Sequence, residues 1–181
     1  MRKVIVIVLL SVLISCTKDD QFSEIPNIEL KNIFKTGSSV RDSSVFITLN
    51  FTDGDGDIGL KDTDTQAPYD TCSIYQYNYF AKIFERKNGI YKQFVFTGFN
   101  SVCNAALSQT LDSLYFARIP FLTPTGQNKS LEGEITLEIP FLQLGYLVKN
   151  DTMRFEVFIY DRALHKSNVV TTSDIVLTTQ P

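Results

Sequence analysis

Apolar and polar residues alternate along most of this chain with a period of two. In the stretch SVFITLNF, residues 44–51, and again in EITLEI, residues 134–139, every second side chain is apolar. Such alternation is typical of a β-strand that buries one face, whereas an amphipathic helix repeats about every 3.6 residues. The pattern predicts eight strands, named A, B, C, C′, D, E, F and G, at residues 27–35, 44–52, 76–86, 90–97, 113–121, 131–139, 152–161 and 169–178.

The connections between these strands are rich in Gly, Pro, Asn and Asp, and no long segment has the helical period. Asn88 and Gly89 form a dipeptide that favours a tight hairpin, here between C and C′. Many short strands separated by such turns predict an all-β fold. We expect an antiparallel immunoglobulin-like β-sandwich of cadherin or fibronectin type, with about 7–9 strands in a single domain over residues 26–181.

Strand direction predicts which loops lie together. In such a sandwich B, C′, D and F run one way, and A, C, E and G run the other way. Three aspartates within residues 53–57 follow strand B, and the end of the sandwich that carries them is named the aspartate pole. The B–C, D–E and F–G loops and the start of the crossover at 98–112 fall at the same pole. The opposite end, named the distal pole, carries the A–B loop (35–43), the hairpin (86–89) and the E–F connection (143–151).

The chain begins with a segment that is typical of a secretory signal peptide. Arg2 and Lys3 precede an apolar run over residues 4–14, which is too short to span a bilayer. Removal of this segment with its two cations changes the formal net charge from −3 to −5. An acidic chain without basic clusters does not suit nucleic acid or an anionic membrane surface as a partner.

The residues Leu-Ile-Ser-Cys at 13–16 resemble the bacterial lipobox. The resemblance implies that residues 1–15 are removed, that Cys16 becomes the lipidated N-terminus, and that 16–25 form a flexible tether. TKDD at 17–20 resembles the charged signal that sends lipoproteins of Bacteroidota to the cell surface. Together these segments predict an outer-membrane lipoprotein exposed at the surface. The alternative is an ordinary signal peptide with a chance cysteine.

Two further cysteines remain to be placed. Lipidation of Cys16 leaves Cys72 and Cys103 in an oxidising compartment, where two thiols tend to pair. Both residues also fall at the aspartate pole in the predicted topology. We therefore expect a disulfide between them, and the alternative is two buried free thiols.

The stretch FTDGDGDIG, residues 51–59, follows strand B and places Asp53, Asp55 and Asp57 at alternate positions. Carboxylate oxygens are ligands that calcium prefers, and the intervening glycines allow the backbone to curl so that these groups converge. Asp161 ends strand F, and the strand directions place it near the same loop. We expect a structural Ca²⁺ site formed by these four aspartates.

This loop resembles a stretch that recurs in uncharacterised surface lipoproteins of Bacteroidota and, more loosely, the calcium loops of cadherin-like sandwiches. It is not the helix-flanked calcium loop, because that motif needs glycine where Ile58 stands. The alternative is an Asp-Gly turn with solvated carboxylates, although three such charges would repel one another without a cation. Asp62, Asp64 and Asp70 are either further ligands or ordinary surface acids.

Other chemistry has less support in the sequence. His165 is the only histidine, and its spacing from Asp161 and Ser167 does not by itself supply a nucleophile, a base and an oxyanion hole. We expect no enzymatic activity. The tyrosines of YQYNY, residues 75–79, either form a stacking platform for sugars or pack against the core.

Two short motifs concern processing. DSL at 112–114 and DTM at 151–153 resemble the acceptor sites for O-glycosylation in Bacteroidota. The resemblance implies a sugar on the hydroxyl of Ser113 and on that of Thr152.

Three hypotheses of function are compatible with these features. The first is a lipid-anchored, calcium-stabilised surface protein with a structural or interaction role and an unidentified protein or glycan partner. The second is a glycan-binding accessory lipoprotein of a polysaccharide-uptake system, and the third is a small hydrolase. Because strand A begins at the aspartate pole, the tether enters beside the aspartate loop. The distal pole would then face outward.

Overall fold

The structure is a computed structural model that describes residues 22–38, 42–95, 103–123, 129–140 and 152–177. The described residues form an antiparallel β-sandwich, which confirms the predicted fold class. The predicted signal peptide, Cys16, the predicted tether as far as residue 21 and the whole E–F connection lie outside them. Within the described ranges no helix has the length and apolar character needed to cross a bilayer.

Nine strands, one α-helix and one 3₁₀ turn make up the described part of the chain. The strands are β1 (Asn27–Gly37), β2 (Asp42–Asp53), β3 (Tyr79–Lys87), β4 (Ile90–Gln93), β5 (Tyr115–Ala117), β6 (Leu131–Pro140), β7 (Thr152–Ile159), β8 (Val170–Thr171) and β9 (Ile175–Val176). The helix α1 is Ala105–Asp112, and the 3₁₀ turn is Ile74–Gln76. Predicted strands A, B, E and F agree with β1, β2, β6 and β7 to within two residues at each end.

The strands form two sheets. One sheet has the order β1-β2-β6, and the other has the order β4-β3-β7-β8, with β5 also paired to β3 and β9 also paired to β7. In the predicted labels these sheets are A-B-E and C′-C-F-G, which is the division of an immunoglobulin-like sandwich. One strand departs from that pattern, because the short β5, corresponding to D, pairs with β3 instead of β6.

The hydrophobic core lies between the two sheets and draws side chains from both. The inward-facing apolar residues of β2 occupy every second position, as the period-two pattern requires. Those of β3 and β7 do the same, and they oppose those of β2. The buried members are Ile28, Val45, Ile47, Leu49, Phe51, Ile58, Tyr79, Ala81, Ile83, Ile119, Ile139, Met153, Phe155, Val157, Ile159 and Leu177.

Several predicted boundaries were wrong. Strand C begins at Tyr79 instead of residue 76, because the preceding residues form the 3₁₀ turn. Strand D shrinks to β5 because the residues after it pair elsewhere: the main chain of Leu60 bonds to Ile119 and Phe121. Described residues 94 and 95 do not extend β4. Strand G is divided into β8 and β9.

The helix α1 was not predicted and lies between β4 and β5 along the chain, two strands that both pair with β3. Its N-cap is Asn104, whose side-chain oxygen accepts the Leu107 N–H at 2.7 Å. Leu107 and Leu111 are buried and lie four residues apart, on one face of the helix. Packing of this face stabilises a helix that would be too short to persist alone.

The strand registers confirm the predicted poles. Asn27 pairs with Thr52, and Tyr79 pairs with Ile159, so the starts of β1 and β3 lie with the ends of β2 and β7 at the aspartate pole. The hairpin at Asn88 follows the far end of β3 and lies at the distal pole. The chain therefore enters the sandwich beside the aspartate loop, as strand direction predicted.

Candidate metal centre

The aspartate loop begins where β2 ends, and its shape depends on glycine. The Gly54 N–H donates to the carbonyl of Ser23 at 2.8 Å, in the chain that leads into β1. A Cβ at Gly54 would lie 2.1 Å from the carbonyl oxygen of Phe22, so any other residue would displace that segment. Gly56 has a φ of 69°, which glycine adopts without strain. The two glycines thus allow the loop to curl against the incoming chain.

The far end of the loop is held by main-chain bonds to two other segments. The Leu122 N–H donates to Ile58 at 3.1 Å, and the Leu60 N–H donates to Ile119 at 2.9 Å. The Arg162 N–H, just after β7, donates to the carbonyl of Asp57 at 3.3 Å. The loop is therefore fixed on both sides by elements that are distant in sequence.

The curled loop brings three carboxylates together. Asp53, Asp55 and Asp57 each offer one oxygen, and these oxygens lie within 4.8 Å of one another. Two ligands on opposite sides of a calcium ion, each about 2.4 Å from it, would be about 4.8 Å apart. The spacing of the three oxygens therefore fits a single divalent cation.

Two oxygens of this group lack any partner within the described part of the chain. Asp53 is fully buried, and its Oδ2 accepts the Asp57 N–H at 2.8 Å. Its Oδ1, and the Oδ1 of Asp55, are buried without a hydrogen-bond donor among the described residues. A buried carboxylate oxygen without a partner is costly, and a bound cation would remove this cost.

Burial removes water from around the clustered aspartates, and this raises the pKa of two of them. Burial is the main reason that the pKa of Asp53 rises to about 7; the Asp57 N–H bond lowers it, and the charges of Asp55, Asp57 and Asp161 raise it. Burial and the charge of Asp55 also raise the pKa of Asp57. Negative charge is thus concentrated where water screens it poorly, which favours a cation.

Asp161 lies beside this group but is held by another residue. It is buried, and its charge acts on Asp53. Its Oδ1 accepts the His165 N–H at 2.7 Å, and its Oδ2 lies 2.9 Å from His165 Nδ1. Burial raises the pKa of Asp161 to about 6, although its hydrogen bonds to His165 lower it. The predicted fourth ligand is therefore adjacent to the site, with both carboxylate oxygens already bonded.

The other acids of the long B–C loop have separate partners or face solvent. Asp64 accepts the Lys61 N–H at 2.9 Å and forms an ion pair with Arg162 at 2.9 Å. Asp70 accepts the Cys72 N–H at 2.8 Å, and Asp62 is exposed. These contacts order the loop and leave the three clustered aspartates as its candidate ligands.

The predicted disulfide is confirmed at the same pole. Cys72 and Cys103 are bonded, with their Cα atoms 5.4 Å apart. The bond joins the segment before the 3₁₀ turn to the residues just before α1. It closes a loop that contains the 3₁₀ turn, β3 and β4.

The tyrosine row does not form a platform. Tyr79 is buried in the core, whereas Tyr77 packs on Phe116 with ring centroids 4.2 Å apart. Tyr75 meets Tyr160 edge-on at 5.3 Å. The rings therefore divide between the core and a second cluster around Phe80 on the outer face of the β3–β7 sheet.

The remaining predicted residues have defined surroundings. The Ser167 hydroxyl accepts the Ile159 N–H at 3.0 Å and donates to the Asn168 carbonyl at 2.7 Å, so it serves the main chain at the end of β7. Ser113 caps α1 and donates to the Thr110 carbonyl at 2.8 Å. Thr152 is the first residue of β7 and is half-buried. O-glycosylation of Ser113 and Thr152 stays a prediction.

Sequence reasoning missed two contacts of this site. One is the bonding of Asp161 to His165, although a separation of four residues is the usual spacing for a side chain that closes a turn. The other is the contact of Gly54 with Phe22 and Ser23, for which the local sequence carries no signal. No family model, no curated protein and no solved structure matches the chain. The inference of function therefore depends on the geometry of the site.

Proposed function

We propose that this chain is a non-enzymatic surface lipoprotein, of the kind found in Bacteroidota, whose sandwich is stabilised by Ca²⁺ at the aspartate pole. Asp53, Asp55 and Asp57 would bind the ion, with Asp161 beside them, and Cys16 would carry the lipid. The outer membrane would be the site of anchoring. A protein or glycan partner would meet the surface that faces away from it.

One observation carries the metal part of this proposal. The Oδ1 of fully buried Asp53 has no donor among the described residues, and the Asp55 Oδ1 beside it also has none. A solvated Asp-Gly turn would expose its carboxylates to water, so the burial of Asp53 favours a bound cation over that alternative. Calcium suits the site because all three side chains offer hard oxygen ligands.

The glycan-binding alternative lacks a comparable observation. It depended on an exposed row of aromatic rings at residues 75–79, and Tyr79 is instead in the core. The hydrolase alternative would need close carboxylates in a cleft or a nucleophile within reach of His165. Asp53 is instead fully buried, and the Ser167 hydroxyl is bonded to main-chain groups. The geometry therefore favours the calcium-stabilised role over both alternatives.

Thermal unfolding with and without calcium tests the proposal. A ligand that binds only the folded state at a hundredfold excess over its Kd stabilises it by about 2.7 kcal/mol. For a chain of this size that corresponds to a rise in Tm of roughly 5–10 °C. Calorimetry in calcium and in EGTA, with magnesium as a comparison, should show this rise for the unmodified chain.

Two matched variants assign the effect to the site. Asp55→Asn removes one of the three clustered charges without changing side-chain size, so it should weaken calcium binding and reduce the calcium-dependent rise. Asp62→Asn makes the same charge change at an exposed position of the same loop and should keep it. Identical melting curves of the unmodified chain in calcium and EGTA would restore the solvated-turn interpretation.

A further inference from the structure

The chain that enters the sandwich is bound by the proposed ligand loop itself. Residues 22–26 are named the N-terminal segment. Within it, the Ser23 carbonyl accepts the Gly54 N–H at 2.8 Å, and the Phe22 carbonyl lies against Gly54. Gly54 lies between Asp53 and Asp55. The backbone that positions the two carboxylates therefore also forms the docking surface for the N-terminal segment.

A second contact ties the same segment to the F–G turn. The main chain of Glu24 lies beside the His165 side chain, and His165 in turn holds Asp161. The Ile25 N–H donates to the Ser23 hydroxyl at 3.0 Å, which closes a turn, and Pro26 is buried where β1 begins. The N-terminal segment therefore lies between the aspartate loop and the F–G turn.

Without a cation, repulsion between the carboxylates opposes docking of the N-terminal segment. Three carboxylates within 4.8 Å repel one another, and the curled loop that keeps them close is also the loop that Ser23 and Phe22 contact. Spreading of the loop would move Gly54 away from the N-terminal segment. A bound cation removes the repulsion and keeps the surface in place.

We propose that the cation acts as a latch on the N-terminal segment: with the ion bound, residues 22–26 stay docked, and without it they are released as far as β1. This inference rests on the proposed function, since it takes the cation site as its starting point. It adds a consequence that stabilisation alone does not require, because the ion now controls the segment that joins the sandwich to its anchor.

The latch changes how far the sandwich can stand from the lipid at Cys16. When Phe22 is docked, six residues connect it to Cys16, and a fully extended chain of that length spans about 20 Å. When the chain is free up to Asn27, eleven residues connect them and span about 36–40 Å. Cation binding would thus roughly halve the greatest distance between the sandwich and the membrane.

Linkage makes the latch testable from both sides. If the cation favours docking by some factor, docking must favour the cation by the same factor. A change that prevents docking but leaves every carboxylate in place should therefore weaken cation binding. Gly54→Ala is such a change, because its methyl group would lie 2.1 Å from the Phe22 carbonyl.

Cleavage after Glu24 by a glutamate-specific serine protease reports on the segment directly. Glu24 is exposed, but the protease must pull its main chain out of the docked position. In the purified chain, cleavage there should be about 5- to 100-fold faster in EGTA than in calcium, the usual range of coupling between two sites. Glu156, in the middle of β7, should resist in both solutions, and Glu24→Gln should remove the cut.

The variant completes the test. Gly54→Ala should be cut rapidly at Glu24 even in calcium, and titration calorimetry with calcium chloride should show an affinity reduced by the same factor. Gly133→Ala, whose methyl group would meet only the ring of Phe51, should behave like the unmodified chain.

Each outcome bears on a definite statement. If calcium binds and stabilises the chain but cleavage at Glu24 is equally fast in calcium and EGTA, the latch is wrong and the proposed calcium site stands. If calorimetry detects no calcium binding at all, both fail. If Gly54→Ala does not fold, the comparison of cleavage rates in the unmodified chain still decides the matter.

Discussion

Two asparagine side chains in this sandwich form hydrogen bonds to the main chain of a distant residue, as a neighbouring strand would. Asn78 is buried, and its Oδ1 accepts the Ile119 N–H at 2.6 Å while its Nδ2 lies 3.4 Å from the Ile119 carbonyl. Asn168 is exposed, and its side chain bonds in the same way to the N–H and carbonyl of Ile28, both at 2.8 Å. Each amide completes a strand edge where the neighbouring strand has ended.

Replacement of these two residues should have unequal effects. Asn78→Ala leaves buried main-chain groups without partners, and we expect the free energy of unfolding to fall by about 2–3 kcal/mol. Asn168→Ala allows water to replace the side chain, and we expect a loss of about 0.5–1.5 kcal/mol. Chemical denaturation in EGTA measures both without interference from a cation. Equal losses would contradict the role assigned to burial.

At the scale of elements, the disulfide joins two described segments that lie outside the sheets. It links the segment before β3 to the residue that precedes the N-cap of α1. A crosslink stabilises chiefly by restricting the unfolded chain, and more so for a long loop. The bond between Cys72 and Cys103, which are 31 residues apart in sequence, therefore restricts the part of the unfolded chain that forms β3 and β4.

Removal of the disulfide should destabilise the chain and loosen one region. The double variant Cys72→Ser, Cys103→Ser should lower the free energy of unfolding by about 2–4 kcal/mol. Hydrogen exchange should increase most in α1, while β2 keeps its protection because it is paired on both sides. The unmodified chain treated with dithiothreitol serves as the control and should match the variant. Unchanged exchange in α1 would contradict this role of the bond.

The helix α1 shows where sequence patterns fail at this scale. Asn104 followed by Leu107 and Leu111 is an N-cap with an apolar face, and this signal could have predicted the helix. An isolated segment of eight residues is nevertheless marginal as a helix. Its formation depends on burial of the two leucines and on the nearby disulfide, and both are tertiary features.

At the scale of the whole molecule, the two poles differ in what they carry. The aspartate pole holds the candidate metal centre and the entry of the chain, whereas the hairpin at Asn88 lies at the distal pole. The nine residues of β3 separate these ends by about 30 Å. A chain anchored at Cys16 would therefore present the distal pole to its surroundings.

Energy transfer to a membrane dye tests this orientation. The lipidated chain would be reconstituted in vesicles that contain an acceptor lipid, with a donor attached to Asp62→Cys near the aspartate pole or to Asn88→Cys at the distal pole. In calcium, transfer should be stronger from residue 62, because it lies nearer the bilayer. Stronger transfer from residue 88 would show that the orientation is the reverse of the one proposed. The aspartate loop would then be a candidate recognition surface. Cys16→Ala should remain in solution and show no transfer.

The sequence by itself determined the features that depend on neighbouring residues. Alternation along residues 44–51 identifies a strand because the backbone pleat places successive side chains on opposite faces. The strands in turn imply directions, and these directions predicted that Cys72 and Cys103 meet and that the chain enters beside the aspartate loop. The alternate aspartates also marked the candidate site, because that loop lies in one continuous stretch.

Only the tertiary structure decided which partner each polar group takes. It bonded Asp161 to His165, placed Gly54 against Phe22 and Ser23, and put Tyr79 in the core, away from Tyr75 and Tyr77. The alternation of tyrosines had the right period but began before the strand did. Such outcomes depend on contacts between segments far apart in sequence. The hydrogen bonds and the burial of a polar group depend on the atoms that surround it in the folded chain. A pattern along the sequence does not specify those atoms.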